Sequence, residues 1–316
     1  MRGMIVAAGI GTRLRPLTHH RPKPAVPVRG IPVIAYPLAF LAQAGVTEIV
    51  INVHHLPEPL IAAARRWCPA HVKLHFSHEA ELLHTGGAIR RVAAFLRESD
   101  PCVVLGGDMI LDFDLAAMIR RHRAGDCAAT LALREDPRAP VFGTIGVDGE
   151  GRVRRIARRF DLGGVDRAGV YTWANLFSPR ALDTLPDRQI FNHLDDWLAP
   201  LLARGADDIR AMVLSPADCA WEPVGTLPEY LEVNLHPPRL SYLEPDALAR
   251  ADGTRIEGDC IIGRGAAIGT GARLQRAVVW DGEKVPDGFE AADGVYAGGA
   301  FHSCVARPGA KGEALG

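Results

Sequence analysis

Short β-branched runs alternate with helix-length segments through the first half of the chain. This rhythm restricts the fold more than any other feature. Residues 3–8, 48–53, 72–76, 102–105 and 128–133 read as strands. Residues 31–43, 57–67, 85–97 and 115–123 read as helices, with Gly45 stopping the first, Pro57 in the first turn of the second and Thr85 capping the third. Runs such as C-V-V-L have no polar face, so both sides of the sheet need covering. The expected class is therefore α/β: a Rossmann-like, mainly parallel mixed sheet with helices on both faces.

After Arg134 the rhythm changes. The flanks of Asp148-Gly149 read as a β-hairpin. A strand over 169–177, a helix over 192–203, strands over 209–214 and 219–224, and a helix over 226–234 capped by Thr226 complete this part. His236-Pro237-Pro238 looks like a boundary, giving two expected domains, 1–236 and 237–316. In the tail Ile256, Ile262, Ile268 and Leu274 recur every six residues, and Gly263 and Gly269 follow two of them. Hexads of this kind mark a parallel β-helix, here a stub of one to two coils that must pack on the first domain or on another subunit.

Composition excludes several functions. Lys and Arg total 36 against 37 Asp and Glu, a net charge of −1, so no basic face dominates and nucleic acid is not an expected partner. With 48% apolar residues the chain has material for a core. No apolar run approaches the roughly 20 residues of a membrane span. The best, 31–46, is interrupted by Pro32, Pro37 and Gln43. The N-terminus reads as a strand start rather than a signal peptide. Six widely spaced cysteines without a C-x-x-C pair fit free thiols in a reducing cytoplasm. The adjacent pairs His19-His20 and His54-His55 do not share a helix face and give no zinc motif.

The chemistry concentrates near the N-terminus. Ala8-Gly9-Ile10-Gly11-Thr12-Arg13 follows the first strand, and Arg15 and Lys23 come soon after. A strand entering a glycine turn lets backbone N–H groups approach an anion, and the fixed positive charges suit a triphosphate. Walker A is absent, and the dinucleotide fingerprint fails because leucine stands at its third glycine.

Taken with Lys23-Pro24, Leu83-His84-Thr85-Gly86-Gly87, Gly106-Gly107-Asp108 and Gly225-Thr226-Leu227-Pro228-Glu229, this loop resembles that of the sugar-1-phosphate nucleotidylyltransferases. Within that family the chain looks most like bacterial mannose-1-phosphate guanylyltransferases and N-acetylmuramate-1-phosphate uridylyltransferases. The resemblance implies a cytoplasmic transferase joining a sugar 1-phosphate to a nucleoside triphosphate, and a tail forming a short left-handed parallel β-helix that favours homo-oligomers. It implies that Ala8, Gly9, Gly11 and Thr12 wrap the triphosphate, with Arg13 and Lys23 neutralising charge. Thr85, Gly86 and Gly87 would lie against the base, and Asp108 would hold Mg²⁺. The sugar phosphate is already ionised near neutral pH, so positioning and charge neutralisation suffice.

Three departures mark the other half. Family members usually carry a second metal-binding aspartate in W-x-D-x-G-T, whereas this chain has Trp221-Glu222-Pro223-Val224-Gly225-Thr226. Glu222, if a bulge turned it, or Asp218 are the candidate replacements. The family's E-K-P lysine has no counterpart in V-R-R-I-A-R-R-F. Arg158 or Arg159 could serve there, with Asn175 as a further sugar-phosphate contact. Trp173 stands where relatives often have glycine, which would narrow the sugar pocket. These changes leave an alternative: a catalytically weak or inactive relative that binds a nucleotide sugar and regulates a partner. An acyltransferase, suggested by the tail alone, would leave the glycine loop unexplained.

Overall fold

The computed structural model describes residues 1–305; residues 306–316 of the expected tail lie outside the described part. Four parallel strands form the centre, in the order Lys73–His78, Glu48–Val53, Arg2–Val6 and Cys102–Gly106. Their residues alternate between two cores. Ile5, Ile49, Ile51, Val103 and Leu105 pack with helices Ala35–Gln43, Pro57–Trp67 and Leu115–Ala124. Met4, Val50 and Val104 pack with helix His84–Arg91 and the segment around Trp197. Covered on both faces, these strands need no polar side.

The rest of the sheet departs from the parallel rule. Strand Arg167–Phe177 runs antiparallel and is where the sheet forks. Residues 174–177 pair with 102–105, whereas 167–169 pair with 145–147 of the hairpin. Strand Ala129–Arg134 lies along its other edge and carries Ile209–Leu214 in parallel. The pairing with Ala129–Arg134 slips between Tyr171 and Asn175, and there Trp173 takes a φ of 62°. This bulge re-aims the strand where it exchanges one neighbour for another.

Several local expectations shift. Ile31 and Pro32 pair with Val28 and Pro27, so the first helix begins at Ala35 rather than 31. Thr85 does not cap its helix: it sits inside the first turn, and its hydroxyl is hydrogen-bonded to His193 Nδ1 at 2.7 Å. That helix stops at Arg91, and a separate turn, Ala93–Leu96, follows. Asn192 caps the later segment His193–Leu198, which is π-helical, by accepting from Leu194 N. Helix Leu227–Leu235 has the expected cap: Thr226 accepts from Glu229 N, and the Glu229 carboxylate in addition accepts from Gly225 N at 3.0 Å.

Beyond residue 237 two parallel ladders recur with an offset of 17 residues. One joins Cys260, Ala277 and Gly294; the other joins Ala267 and Lys284. Added methyls at Gly263 and Gly269 would fall 2.6 and 2.4 Å from the amide nitrogens of Asp281 and Asp287 in the next turn, which explains both glycines. Ile256 lies outside the parallel series, because Arg255–Glu257 pairs antiparallel with Cys260–Ile262. The tail shares a core with the start of the chain: Ile261, Val278, Trp280 and Val295 pack with Leu14, Leu17, Val26, Val28 and Tyr230. Trp280 Nε1 donates to Tyr230 Oη at 2.9 Å, Tyr230 Oη donates to Pro27 O, and the Arg21 guanidinium lies over the Trp280 ring.

Candidate active site

The glycine loop leaves the first strand at its carboxyl end, where α/β sheets place ligands. Gly11 has a φ of 70°, and a Cβ there would meet Thr18 and Lys23 at 2.9 and 3.0 Å. Glycine thus lets the loop fold tightly onto the Lys23 stem. Lys23 is buried, and its Nζ lies 2.5 Å from Asp108 Oδ2. The Asp108 side chain is 41% exposed, so the pair faces an open cleft. Gly107 N donates to Val6 O at 2.9 Å, tying the aspartate turn to the neighbouring strand.

Two cavities meet at this pair. One, of about 320 Å³, is lined by Ala8, Gly9, Asn52, Glu79, His84 and Thr85. The other, of about 220 Å³, is lined by Phe142, Thr144, Tyr171, Leu194, Trp221, Pro223 and Glu229. Arg13, Lys23, Asp108 and Trp173 line both. The sequence-predicted Ala8, Gly9, Arg13, Lys23, Thr85 and Asp108 are therefore brought to one cleft.

Other expected residues do not line either cavity. Thr12 is exposed in a single 3₁₀ turn. Gly86 and Gly87 are buried under 189–191, where both amides reach Phe191 O and a Cβ on Gly87 would fall 1.9 Å from Gln189 O. This close packing requires glycine at both positions. Arg158 is exposed in the turn after the hairpin strand, and Arg159 pairs with Asp195 at 2.8 Å. Asn175 is 2% exposed, accepting from Tyr171 Oη and donating to Val104 O, so it supports the floor from beneath.

The proline departure has a clear geometry. Strand Ala220–Pro223 pairs in regular register with Met109–Asp112, placing Pro223 opposite Met109, and Val224 N donates to Asp108 O at 3.0 Å. No bulge turns Glu222 inward: its carboxylate accepts from Arg138 Nη1 at 3.0 Å, away from the cleft. Asp218 Oδ2 accepts from Ser215 Oγ at 2.6 Å and lines a different groove. Neither stands beside Asp108. Besides Asp108, the acidic side chain lining the smaller cavity is Glu229, which in sequence stands out only as part of Gly225-Thr226-Leu227-Pro228-Glu229.

Sequence reasoning also missed Asn52 and Glu79. Asn52 Oδ1 accepts from Ala7 N at 2.7 Å, and its amide donates to Glu79 Oε1 at 2.8 Å. Glu79 Oε2 accepts from Leu83 N at 3.1 Å. The available signal was positional: both sit at the carboxyl ends of neighbouring parallel strands. Under the junction lies a closed chain of polar groups. His193 bridges Thr85 and Tyr171, and Tyr171 continues to Asn175. Burial pushes the His193 imidazole down to about 3, so it is neutral near pH 7.

Fold and site together define an α/β protein with a glycine loop, Arg13, Lys23 and Asp108 gathered on a cleft at the carboxyl ends of its strands. Comparison with known proteins narrows this. The nucleotidyl transferase family model matches residues 2–238. A mannose-1-phosphate guanylyltransferase of Mycobacterium tuberculosis is 30% identical over 301 residues, covering 90% of this chain and 81% of that protein. A UTP–glucose-1-phosphate uridylyltransferase of Synechocystis is 27% identical, covering 87% and 76%. The crystal structure of HddC from Yersinia pseudotuberculosis superposes with a TM-score of 0.60 at 22% identity, over 73% of this chain and 96% of that one, and shows the same fold. The chain belongs to the nucleotidyl transferase family, as the glycine loop suggested.

Proposed function

We propose that the protein joins a sugar 1-phosphate to a nucleoside triphosphate, giving a nucleoside diphosphate sugar and pyrophosphate. The observation that carries this reading is the shared wall: two separate cavities open on either side of Arg13, Lys23 and Asp108. Relatives named for guanylyl and uridylyl transfer to sugar 1-phosphates support the same activity. No observation favours a non-catalytic relative over it.

In this reading the nucleotide occupies the larger cavity, with its base toward Glu79 and Thr85. Ala8, Gly9 and the loop amides hold the triphosphate. A phosphate oxygen of the sugar 1-phosphate attacks the α-phosphorus in line, and the bond to the β-phosphate oxygen breaks. Lys23 neutralises the α-phosphate, and Arg13 neutralises the departing pyrophosphate.

Asp108 fits a magnesium ligand, being an accessible carboxylate on the cleft. Mg²⁺ is commonly held by one or two carboxylates plus substrate phosphates. Among the described residues no cluster of three acidic, histidine or cysteine ligands exists, so the ion would depend on the nucleotide for its remaining ligands. When bound, it supplies charge neutralisation on the polyphosphate.

The two-domain division at 236/237 and a tail built as a short left-handed β-helix belong to this proposal. The parallel ladders with their 17-residue offset support the β-helix. Six unpaired cysteines suit a reducing cytoplasm, and no helix among the described residues is long and apolar enough to cross a membrane. Self-association through the tail is proposed on the same footing. The test is pyrophosphate release with Mg²⁺ across nucleoside triphosphates and sugar 1-phosphates, with products read by mass. Release with no pair would overturn the transferase reading.

A further inference from the structure

Arg13 stands exposed on a single 3₁₀ turn, and its long side chain samples many rotamers unless a partner holds it. A guanidinium neutralises a phosphate well only when its planar fork faces the anion. Gly225 marks the place where the fork is held. A Cβ there would fall 2.6 Å from Glu229 Oε2 and 3.6 Å from Arg13 Nη2, so carboxylate and guanidinium rest against the same residue. The Gly225 backbone is not left-handed, so space rather than a turn demands glycine.

Glu229 is itself firmly placed. It lies in the first turn of helix Leu227–Leu235, and its Oε2 accepts from Gly225 N at 3.0 Å. One such bond leaves the carboxylate with further lone pairs and with its charge. Glu229 lines the smaller cavity and also a neighbouring groove of about 370 Å³. Among the described residues these two carry four basic groups: Arg13 and Lys23 in the cavity, Arg138 and His236 in the groove. Three of them already have carboxylates. Lys23 is paired with Asp108, Arg138 with Asp136 and Glu222, and His236 Nδ1 lies 3.1 Å from Glu232 Oε2. Arg13 is the remaining cation facing Glu229.

We propose that Glu229 is a positioning residue for Arg13. Its charge draws one edge of the guanidinium onto Gly225 and leaves the other edge turned to the polyphosphate. Five donors in a fixed fork let a guanidinium serve a carboxylate and a phosphate at once. The proposal rests on the transferase reading for the place of Arg13 beside the departing pyrophosphate.

The experiment separates the charge of Glu229 from its bond to the helix start. Glu229→Gln keeps a carbonyl oxygen for Gly225 N and loses the negative charge. Turnover (kcat) should fall by roughly 10–100-fold, with Tm and the KM for sugar 1-phosphate little changed. In calorimetry with Mg²⁺ present, affinity for inorganic pyrophosphate should fall by about tenfold. Both losses should vanish in an Arg13→Gln background, where no guanidinium remains to be released. The calorimetric arm decides the matter even for a chain that releases no pyrophosphate from any substrate pair, a result that would overturn the transferase reading alone. Glu229→Gln matching the parent in rate and affinity would mean that the carboxylate only caps its helix. Equal losses in both backgrounds, or tighter pyrophosphate binding in Glu229→Gln, would likewise overturn the proposal.

Discussion

The two cavities beside Asp108 are built by different means. The larger lies over the carboxyl ends of parallel strands, and its polar groups come from strand ends held by Ala7, Asn52 and Glu79. The smaller lies at the fork where Arg167–Phe177 leaves one neighbour for another, and its surface is largely aromatic and aliphatic. A regular sheet thus provides a cleft at its strand ends by geometry alone, whereas a break in pairing leaves a gap that local side chains must shape. The difference implies that recognition on the two sides can be altered separately, with the wall between them common to both.

The sharpest way to break this division is at the wall. Asp108→Asn or Lys23→Ala should lower kcat by about 10²–10³-fold or more, whichever sugar is offered, since each removes charge stabilisation from a shared position. Steady-state kinetics varying each substrate in turn would check this; a loss confined to one substrate's KM would mean that the wall is not shared.

A smaller and one-sided effect is expected at Glu79. Glu79→Ala leaves Asn52 Nδ2 and Leu83 N without acceptors, a penalty of about 1–3 kcal/mol. Nucleotide affinity should fall by roughly tenfold, with sugar-phosphate KM little changed. Equal losses for both ligands would erase the distinction.

Pro223→Asp tests the border from the other direction. It adds a carboxylate opposite Met109, next to the Asp108 turn. The Mg²⁺ concentration for half-maximal turnover should drop by roughly an order of magnitude. No shift in a magnesium titration would mean that position 223 is too far from the ion to matter.

The smallest effect concerns the buried floor. Burial holds His193 down to about 3 and His122 down to about 4, while the unfolded chain takes up these protons near pH 6.5. Between those values the unfolded state binds more protons, so stability rises with pH from about 4 to 7. His193→Gln should flatten this slope in thermal unfolding. An unaltered slope would place the titration elsewhere.

Legibility follows the same division. The loop from Ala8 to Lys23 is contiguous, so its glycines and charges can be read together, and the strand at 48–53 is evident from its β-branched run. Glu79 was hidden because its partner Asn52 lies on another strand. Gly86 and Gly87 resemble a turn against a base because close packing and the close approach of a base both suit glycine. Asn175 was placed in the cleft from its strand, but the bulge at 171–175 sends it beneath the floor. A partner exchange between strands depends on contacts across 145–177, which local spacing does not encode. The proline at 223 was visible at once, yet only the register with Met109 revealed that Glu222 faces Arg138 instead.

The core that joins Trp280, Val278 and Val295 to Leu14, Leu17 and Val26 bears on synthesis as well as on stability. During translation the glycine loop leaves the ribosome early, but the surface on which it rests emerges long afterwards. Until then Leu14 and Leu17 lack the neighbours that Val278, Trp280 and Val295 supply. The growing polypeptide therefore finishes the core beneath its glycine loop only after the tail strands have folded back onto it.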